Sequence, residues 1–342
     1  MEIIKQNKLA ISILLLLSAA SLTSEIYAEV QEVETVTIIG TKADVKELPG
    51  SGTIVSNEEL QKAMDTDIHK ILSAVPGVYF RTEDGYGLRP NISIRGTSID
   101  RSAKITLMED GILVAPAPYT SSSAYYFPTT GRINSVEVLK GPSSISQGPS
   151  TIGGAINMIS TPIPEEASGK LTQEFGQNGM LRTHAYYGGV SGNFGGLVEV
   201  HEHQSDGFDS IANVGGDTGF DKSDFMMKAR YENGDHSLTF KMVEIDEVSD
   251  QSYVGLSGKS FNANPRLRYG MTQYDQMSND GDQKSLTYLG DFEKFKVVAS
   301  SWSNDYHRDW FKVDKANNNS EHGVGNGINT VISAANAGDA NA

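Results

Sequence analysis

The chain has 342 residues, enough for about two domains at roughly 150 residues each. With 28 Lys and Arg against 43 Asp and Glu the net charge is −15, which argues against a general nucleic-acid binder because an acidic surface repels phosphate. Cysteine is absent, so disulfides, thiolate metal sites and cysteine nucleophiles are excluded together, and no apolar tract reaches the roughly 18 residues of a helical membrane span. With 35 glycines, what remains is a secreted, turn-rich, largely β protein.

Residues 1–28 read as a signal peptide, expected to be cleaved after Ala28. Lys5 and Lys8 give a basic start, the apolar run Leu9 to Ala20 follows, and Ile26-Tyr27-Ala28 offers a small residue at the cleavage point. As a helix that run covers about 18 Å, short of a hydrocarbon core of about 30 Å. Residues 29–46 carry few packing signals and are expected to be mobile when free. Within them VETVTIIG, from Val33 to Gly40, is acidic and β-branched and favours an extended backbone. Two readings fit it: an ordinary first strand, or a strand that adds itself to the open edge of a partner sheet.

From Glu47 to Pro164 the pattern is that of a small α/β unit. Ser56 with Glu59 forms a capping box opening a helix through Met64, and a second helix from Asp67 to Val75 spaces Ile68, Ile71, Leu72 and Val75 on one face before Pro76-Gly77 stops it. Short strands follow at Val78–Arg81, Ile92–Arg95, Lys104–Met108, Ile112–Val114, Val136–Leu139 and Ala155–Ile159, with Glu109-Asp110-Gly111 as a hairpin turn. The polar stretches 82–91, 97–103 and 115–131 are longer than connections require. They carry Arg89, Arg101, Tyr119, Tyr125 and Tyr126, which suit a charged ligand with ring or edge surfaces, although solvated loops account for them as well.

After Pro164 the chain alternates with a period of two. Asp224, Met226, Lys228 and Arg230 interleave with Phe225, Met227, Ala229 and Tyr231. Seven strands are predicted, near 169–177, 181–190, 194–203, 222–232, 237–247, 284–292 and 294–306. Ser191-Gly192-Asn193 and Asn233-Gly234-Asp235 are tight turns, whereas 204–221 and 248–283 are long. Short turns at one end and long loops at the other describe an outer-membrane barrel wall; a soluble sandwich would bury one face per strand equally, and the loop asymmetry with the export signal favours the barrel.

Enzymatic and metal chemistry find little support. His201 and His203 share a strand face without a third ligand in sequence, and read as polar wall residues. Ser257-Gly258-Lys259-Ser260 lacks the first glycine of a phosphate loop, where Tyr253 stands, and Asn279-Asp280-Gly281-Asp282 lacks the spacing of a calcium loop. No serine is paired with a base in the sequence, so the chain reads as a non-enzyme without a cofactor.

Several segments resemble the TonB-dependent outer-membrane receptors of Gram-negative bacteria, over nearly the whole mature chain. VETVTIIG resembles the TonB box, and HKILSAVPGV, ISIRGT, LMEDGILV and VEVLKGPSSISQGPSTIGGAINMIS resemble the family's plug in order and spacing. MEDGILVAPAPY and NPRLRYG most resemble the ferric-dicitrate branch. The resemblance implies an α/β plug domain at 47–164 inside an antiparallel transmembrane β-barrel of 22 strands, of which residues 165–342 supply about seven. It implies uptake of a ferric chelate such as ferric citrate or a siderophore, with haem, cobalamin or a glycan as alternative cargo. Val33, Glu34, Thr35, Val36, Thr37, Ile38 and Ile39 would pair with the TonB energy-transducing protein. Arg95, Glu137 and Lys140 would seat the plug against the wall, Lys140 standing where arginine is usual.

In this reading an anionic chelate meets Arg266 and Arg268 in the long outer loop, then Arg81, Arg89, Arg101 and Tyr119 at the plug apex. Thr120 to Ser123 offer no distinctive chelate-binding side chain, which weighs against citrate itself. No signalling domain precedes the TonB box, and the barrel's length leads to the expectation of an N-terminal part of a longer receptor.

Overall fold

The computed structural model describes residues 36–39, 44–48, 50–63, 67–114, 120–123 and 126–313. The expected signal peptide, Val33, Glu34, Thr35, Tyr119 and Tyr125 lie outside the described residues.

The first unit opens with β1 (Ser51–Val55), α1 (Asn57–Ala63) and α2 (Ile68–Ser73). The capping box forms: the Ser56 N–H donates to Glu59 Oε2 at 2.8 Å, and Asp67 caps α2 by accepting the His69 N–H at 2.9 Å. Then follow β2 (Val78–Arg81), β3 (Asn91–Ile94), β4 (Ile105–Glu109), β5 (Ile112–Leu113), β6 (Ile133–Lys140) and β7 (Gly154–Ser160). The main sheet runs β1-β6-β7-β4-β5, antiparallel except for the parallel pair β4–β7, with β2–β3 as a separate hairpin. Asp110 and Gly111 both have positive φ, 50° and 76°, as the two-residue turn between β4 and β5 requires.

Alternation divides this sheet into two faces. Ile105, Leu107, Val136, Val138, Ile156 and Met158 pack against Ile68, Ile71, Leu72 and Val75 of the α2 region. Met108, Leu139 and Ala155 face the other way and form a second cluster with Ile39, flanked by Ile38, Val45, Leu48, Ile54 and Leu113.

The second unit is a seven-stranded antiparallel wall: β8 (Ser168–Phe175), β9 (Leu181–Ser191), β10 (Phe194–Ser205), β12 (Phe220–Asn233), β13 (His236–Ser249), β15 (Gln276–Phe292) and β16 (Phe295–Phe311). Loops between them hold β11 (Ser210–Ile211), paired in parallel with β14 (Leu267–Arg268), and α3 (Gly258–Ala263). Three connections are two-residue turns, at 192–193, 234–235 and 293–294, all at one end; 176–180, 206–219 and 250–275 connect the other end. By that asymmetry the short-turn end is periplasmic. Asn279 to Asp282 lie within β15, which begins well before the predicted 284.

The faces of β12 settle which way the wall points. Lys222, Asp224, Met226, Lys228 and Arg230 are buried against the first unit, whereas Ala229 and Tyr231 are exposed and Phe225 and Met227 are only half-buried. A water-soluble sandwich would bury the apolar face; this sheet buries its charges and turns its apolar side outward, the inside-out pattern of a lipid-facing barrel. At the short-turn end Phe194 and Tyr231 lie 5.0 Å apart and Phe292 stacks on Phe295 at 5.1 Å, where an interfacial aromatic girdle belongs.

Candidate functional site

Where the first unit meets the wall, buried charges replace apolar packing. Arg132, 1% exposed at the start of the β6 region, forks onto both carboxylate oxygens of Glu109 and donates from Nε to Asp224 of β12 at 2.8 Å. Lys241 of β13 donates to Glu109 at 2.5 Å and to Asp110 at 2.6 Å, and Lys228 lies 3.9 Å from Asp110. Three acids thus face three bases. Burial pushes the Glu109 carboxyl up, but the Arg132 and Lys241 charges outweigh it and hold it below the usual carboxylate range; Asp110 is held down likewise by Lys241 and Lys228.

A second group lies toward the long loops: Arg89 donates to Glu247 of β13 at 2.5 Å, and Lys222 lies 3.6 Å from the same carboxylate. Nearby, Thr161 donates to Glu199 of β10 at 2.6 Å. His184 pairs with that carboxylate at 2.5 Å, and its ring lies 5.8 Å from that of His201, whose two nitrogens are buried without hydrogen-bond partners. The register partner His184 is thus the third histidine that sequence spacing missed. Even so, no group of His, Asp and Glu among the described residues could hold a metal ion.

Val36–Ile39 lie against the second face of the sheet as an irregular segment, not as an ordinary first strand of the chain's own sheet. The Ile38 and Ile39 N–H groups donate to the Glu137 carboxylate at 2.8 and 3.1 Å, and Asn157 donates to the Val36 carbonyl at 2.9 Å.

Arg95, Glu137 and Lys140, expected to seat the plug, make their described contacts within the first unit and with the leader segment. Glu137 turns to the leader segment because alternation along β6 puts it on the face opposite Val136 and Val138. Lys140 donates within the plug, to Thr53 at 3.3 Å and the Pro76 carbonyl at 2.9 Å, and burial followed by the nearby Arg95 charge lowers its pKa. Arg95 is exposed, at a positive φ of 55°, beside Gly141 at the same corner. The charged contacts to the wall strands described come from Glu109, Asp110, Arg132 and Arg89, in sequence merely a turn and two loop cations.

At the long-loop end, the 82–90 apex meets the wall loops. Tyr86 packs on Phe208 at 5.2 Å and Phe220 at 4.7 Å between ring centres. Between apex and loops lies a cavity of about 270 Å³ lined by Glu83, Asp84, Asp209, Phe208, Phe261 and Arg268, among others. Arg268 lines it, yet its guanidinium clamps loop backbone, donating to the carbonyls of Asp250 and of Thr272. Arg89 pairs with Glu247 through one guanidinium nitrogen. Arg266 is exposed, with its guanidinium 6.0 Å from the Phe208 ring centre. Arg81 is exposed 3.6 Å from Asp100, and the half-buried Arg101 donates its backbone N–H to Asn91 at 2.8 Å.

A compact α/β stopper held by buried ion pairs to the polar inner face of an antiparallel wall, with an apolar outer face, defines a plugged outer-membrane β-barrel, here with seven of its wall strands. Residues 44–155 match the family model of the TonB-dependent receptor plug domain. Over that segment the chain is therefore similar to the plug of the TonB-dependent receptors.

Among characterised proteins, it is 23% identical over 345 residues to the vitamin B12 transporter BtuB of Photobacterium profundum, covering 92% of this chain and 56% of that protein. It is 29% identical over 155 residues to the BtuB of Vibrio vulnificus, covering 44% and 25%. Its fold matches that of the unliganded ferric citrate transporter FecA (TM-score 0.67, 21% identity, 80% of this chain, 42% of that one). It also matches the ferric yersiniabactin uptake receptor FyuA of Yersinia pestis (TM-score 0.63, 22% identity, 78% and 42%). The chain spans about half the length of the first of these curated relatives and about a quarter of the second.

Proposed function

We propose that the chain serves as an outer-membrane receptor for TonB-energised uptake of a ferric chelate, exported by residues 1–28 and engaged from the periplasm through residues 33–39. The observation that carries this reading is the buried seat. Breaking a buried ion pair costs about 3–5 kcal/mol, so a plug held by several such pairs leaves its wall rarely by thermal motion, and transport needs work delivered from outside. A leader segment docked on the plug is where a partner strand would deliver it. No bond in the cargo is made or broken.

The fold likeness to ferric-chelate receptors and the MEDGILVAPAPY segment support iron as the cargo. A corrinoid is the second reading. It is favoured by the curated relatives' names and by the lining of the outer cavity, where Glu83, Asp84 and Asp209 stand and Arg268 is committed to backbone, a poor setting for a polyanion. A binding panel on the intact receptor with ferric citrate, a ferric siderophore and cyanocobalamin decides between them. Ferric chelate binding that weakens in Arg266→Ala supports the first reading; tight binding of cyanocobalamin alone discards it.

A further inference from the structure

A second, smaller space of about 20 Å³ lies between the apex and the wall, with room for about one water or one ion little larger. Tyr86, Thr129, Thr130, His201, His203 and Lys222 line it, and none of the described residues around it is an acid, whereas the outer cavity carries Glu83, Asp84 and Asp209. Two of its side chains are buried without partners: His201, 1% exposed, at both ring nitrogens, and Thr129, 7% exposed, at its hydroxyl. Such groups are costly to leave unpaired, and each calls for an occupant. Nearby carbonyls are already engaged: Phe127 accepts from Lys222 at 3.1 Å, Thr129 from the Arg132 N–H at 3.2 Å and Thr130 from the Ile133 N–H. What the crevice has to offer is donors, since a neutral imidazole keeps one N–H in either tautomer. The surrounding charges have the same bias. Lys222 and Arg89 share the one Glu247 carboxylate, at 3.6 and 2.5 Å, and two further guanidinium nitrogens of Arg89 are buried without partners. Asp224, the register partner of His201, is drawn to Arg132 at 2.8 Å, and Glu199 is taken by His184 and Thr161; neither acid lines the crevice.

We propose that this crevice is a site for a small inorganic anion of single charge, such as chloride, held by Lys222, the Thr129 hydroxyl and an N–H of His201. The lining that disfavours a cation suits its opposite. A water molecule would fit the space, but its two hydrogens would find few open acceptors, and it would leave Lys222 and Arg89 sharing one negative charge. A carboxylate arm of a cargo is the other source of the same chemistry. The Tyr86 ring packs on Phe208 of the outer cavity at 5.2 Å and on Phe220 at 4.7 Å, and this aromatic group stands between the two spaces, which favours a free ion. The site does not rest on the function proposed above.

Crystals of the intact receptor grown in sodium bromide are expected to show an anomalous peak beside Lys222 and His201, and Lys222→Met removes it. Ordered water there without bromide overturns the site. Density continuous with a co-crystallised ferric chelate or cyanocobalamin gives the crevice to the cargo and overturns the free ion. In solution, the Arg132 and Ile133 amides close the turn beside the crevice, and their hydrogen exchange is expected to be slower in chloride than in gluconate at equal ionic strength. The slowing follows 1 + [L]/Kd, about tenfold once chloride reaches ten times its dissociation constant. Equal rates in the two salts overturn the proposal, as does an undiminished chloride effect in a folded Lys222→Met variant. Should that variant not fold, Thr129→Val carries the test, because it removes one donor and keeps the shape: the chloride effect shrinks several-fold, and an unchanged effect overturns Thr129 as a ligand.

Discussion

Replacing Arg132 by Met asks whether the ionic seat holds the plug. The cluster is balanced: Glu109, Asp110 and Asp224 face Arg132, Lys228 and Lys241, all buried or nearly so. Methionine keeps much of the apolar stem but removes one positive charge, leaving Asp224 without its cation and Glu109 with Lys241 alone. Removing one partner of such a buried pair costs about 3–5 kcal/mol, two to four powers of ten in the population of displaced plug. With a urea m-value of about 2 kcal/mol/M, the midpoint of plug release falls by roughly 2 M. A single cysteine at Ile105, fully buried in the plug core, reports release through its labelling as urea is raised in detergent micelles. Adding Asp224→Asn restores the charge balance, and the pair is expected to recover about 1–3 kcal/mol relative to the sum of the single changes. An unmoved midpoint in Arg132→Met, or a double variant that merely sums its singles, refutes the ionic account of the seat.

Acid tests the same cluster from the other side. Burial raises the carboxyl pKa values of Glu109 and Asp110, but the facing cations overcome it; their folded values lie below unfolded ones of about 4, so their contribution is complete above about pH 5 and is lost as the pH falls through the folded values. The midpoint difference between the parent and Glu109→Gln is therefore expected to stay flat from about pH 7 to 5 and to shrink below about pH 4; shrinkage already between pH 7 and 5 contradicts it. At Gly131 an added methyl would lie 2.0 Å from Nε2 of the buried His201, so Gly131→Ala is expected to destabilise the plug by about 1–3 kcal/mol. Combining it with His201→Ala should cost less than the sum in the same urea assay, and strict additivity would show that the two residues do not meet.

Periodicity made most of the architecture legible. Ser56 with Glu59, the spacing of Ile68, Ile71, Leu72 and Val75, and the alternation from Asp224 to Tyr231 each depend on neighbours in sequence, which is where local rules operate. What escaped depends on partners far away. Glu109 and Asp110 look like the front of a hairpin turn, and nothing local says that Lys241, some 130 positions on, will meet both. The partners of Arg89 and Arg268 are equally beyond local rules, because an isolated arginine in a loop shows no sign of the carboxylate or carbonyl it will find. β15 extends beyond its predicted start because Ser278 to Gln283 are polar or Gly on both faces, as befits a strand rising beyond an apolar band, and β1 escapes prediction because Ser51-Gly52 carries no strand signal and pairs only with β6.

The choice of charge over hydrophobe at the plug–wall contact has a consequence for movement. Buried ion pairs are frequently no more stabilising than well-packed apolar substitutes, so stability alone does not account for three facing pairs. The two kinds of contact differ in what displacement exposes. An apolar plug pulled from its wall would present sticky surface to water and to neighbouring proteins, whereas Arg132, Lys241, Glu109 and Asp224 become hydrated as soon as water follows the moving plug. The ionic contact also fixes register, since Arg132 reaches its three partners from one position only, whereas an apolar contact would tolerate sliding. A seat that is rigid when dry and soluble when wet lets a displaced plug be hydrated and seat again, and the inward-facing charges of β12 and β13 are the residues that make it so.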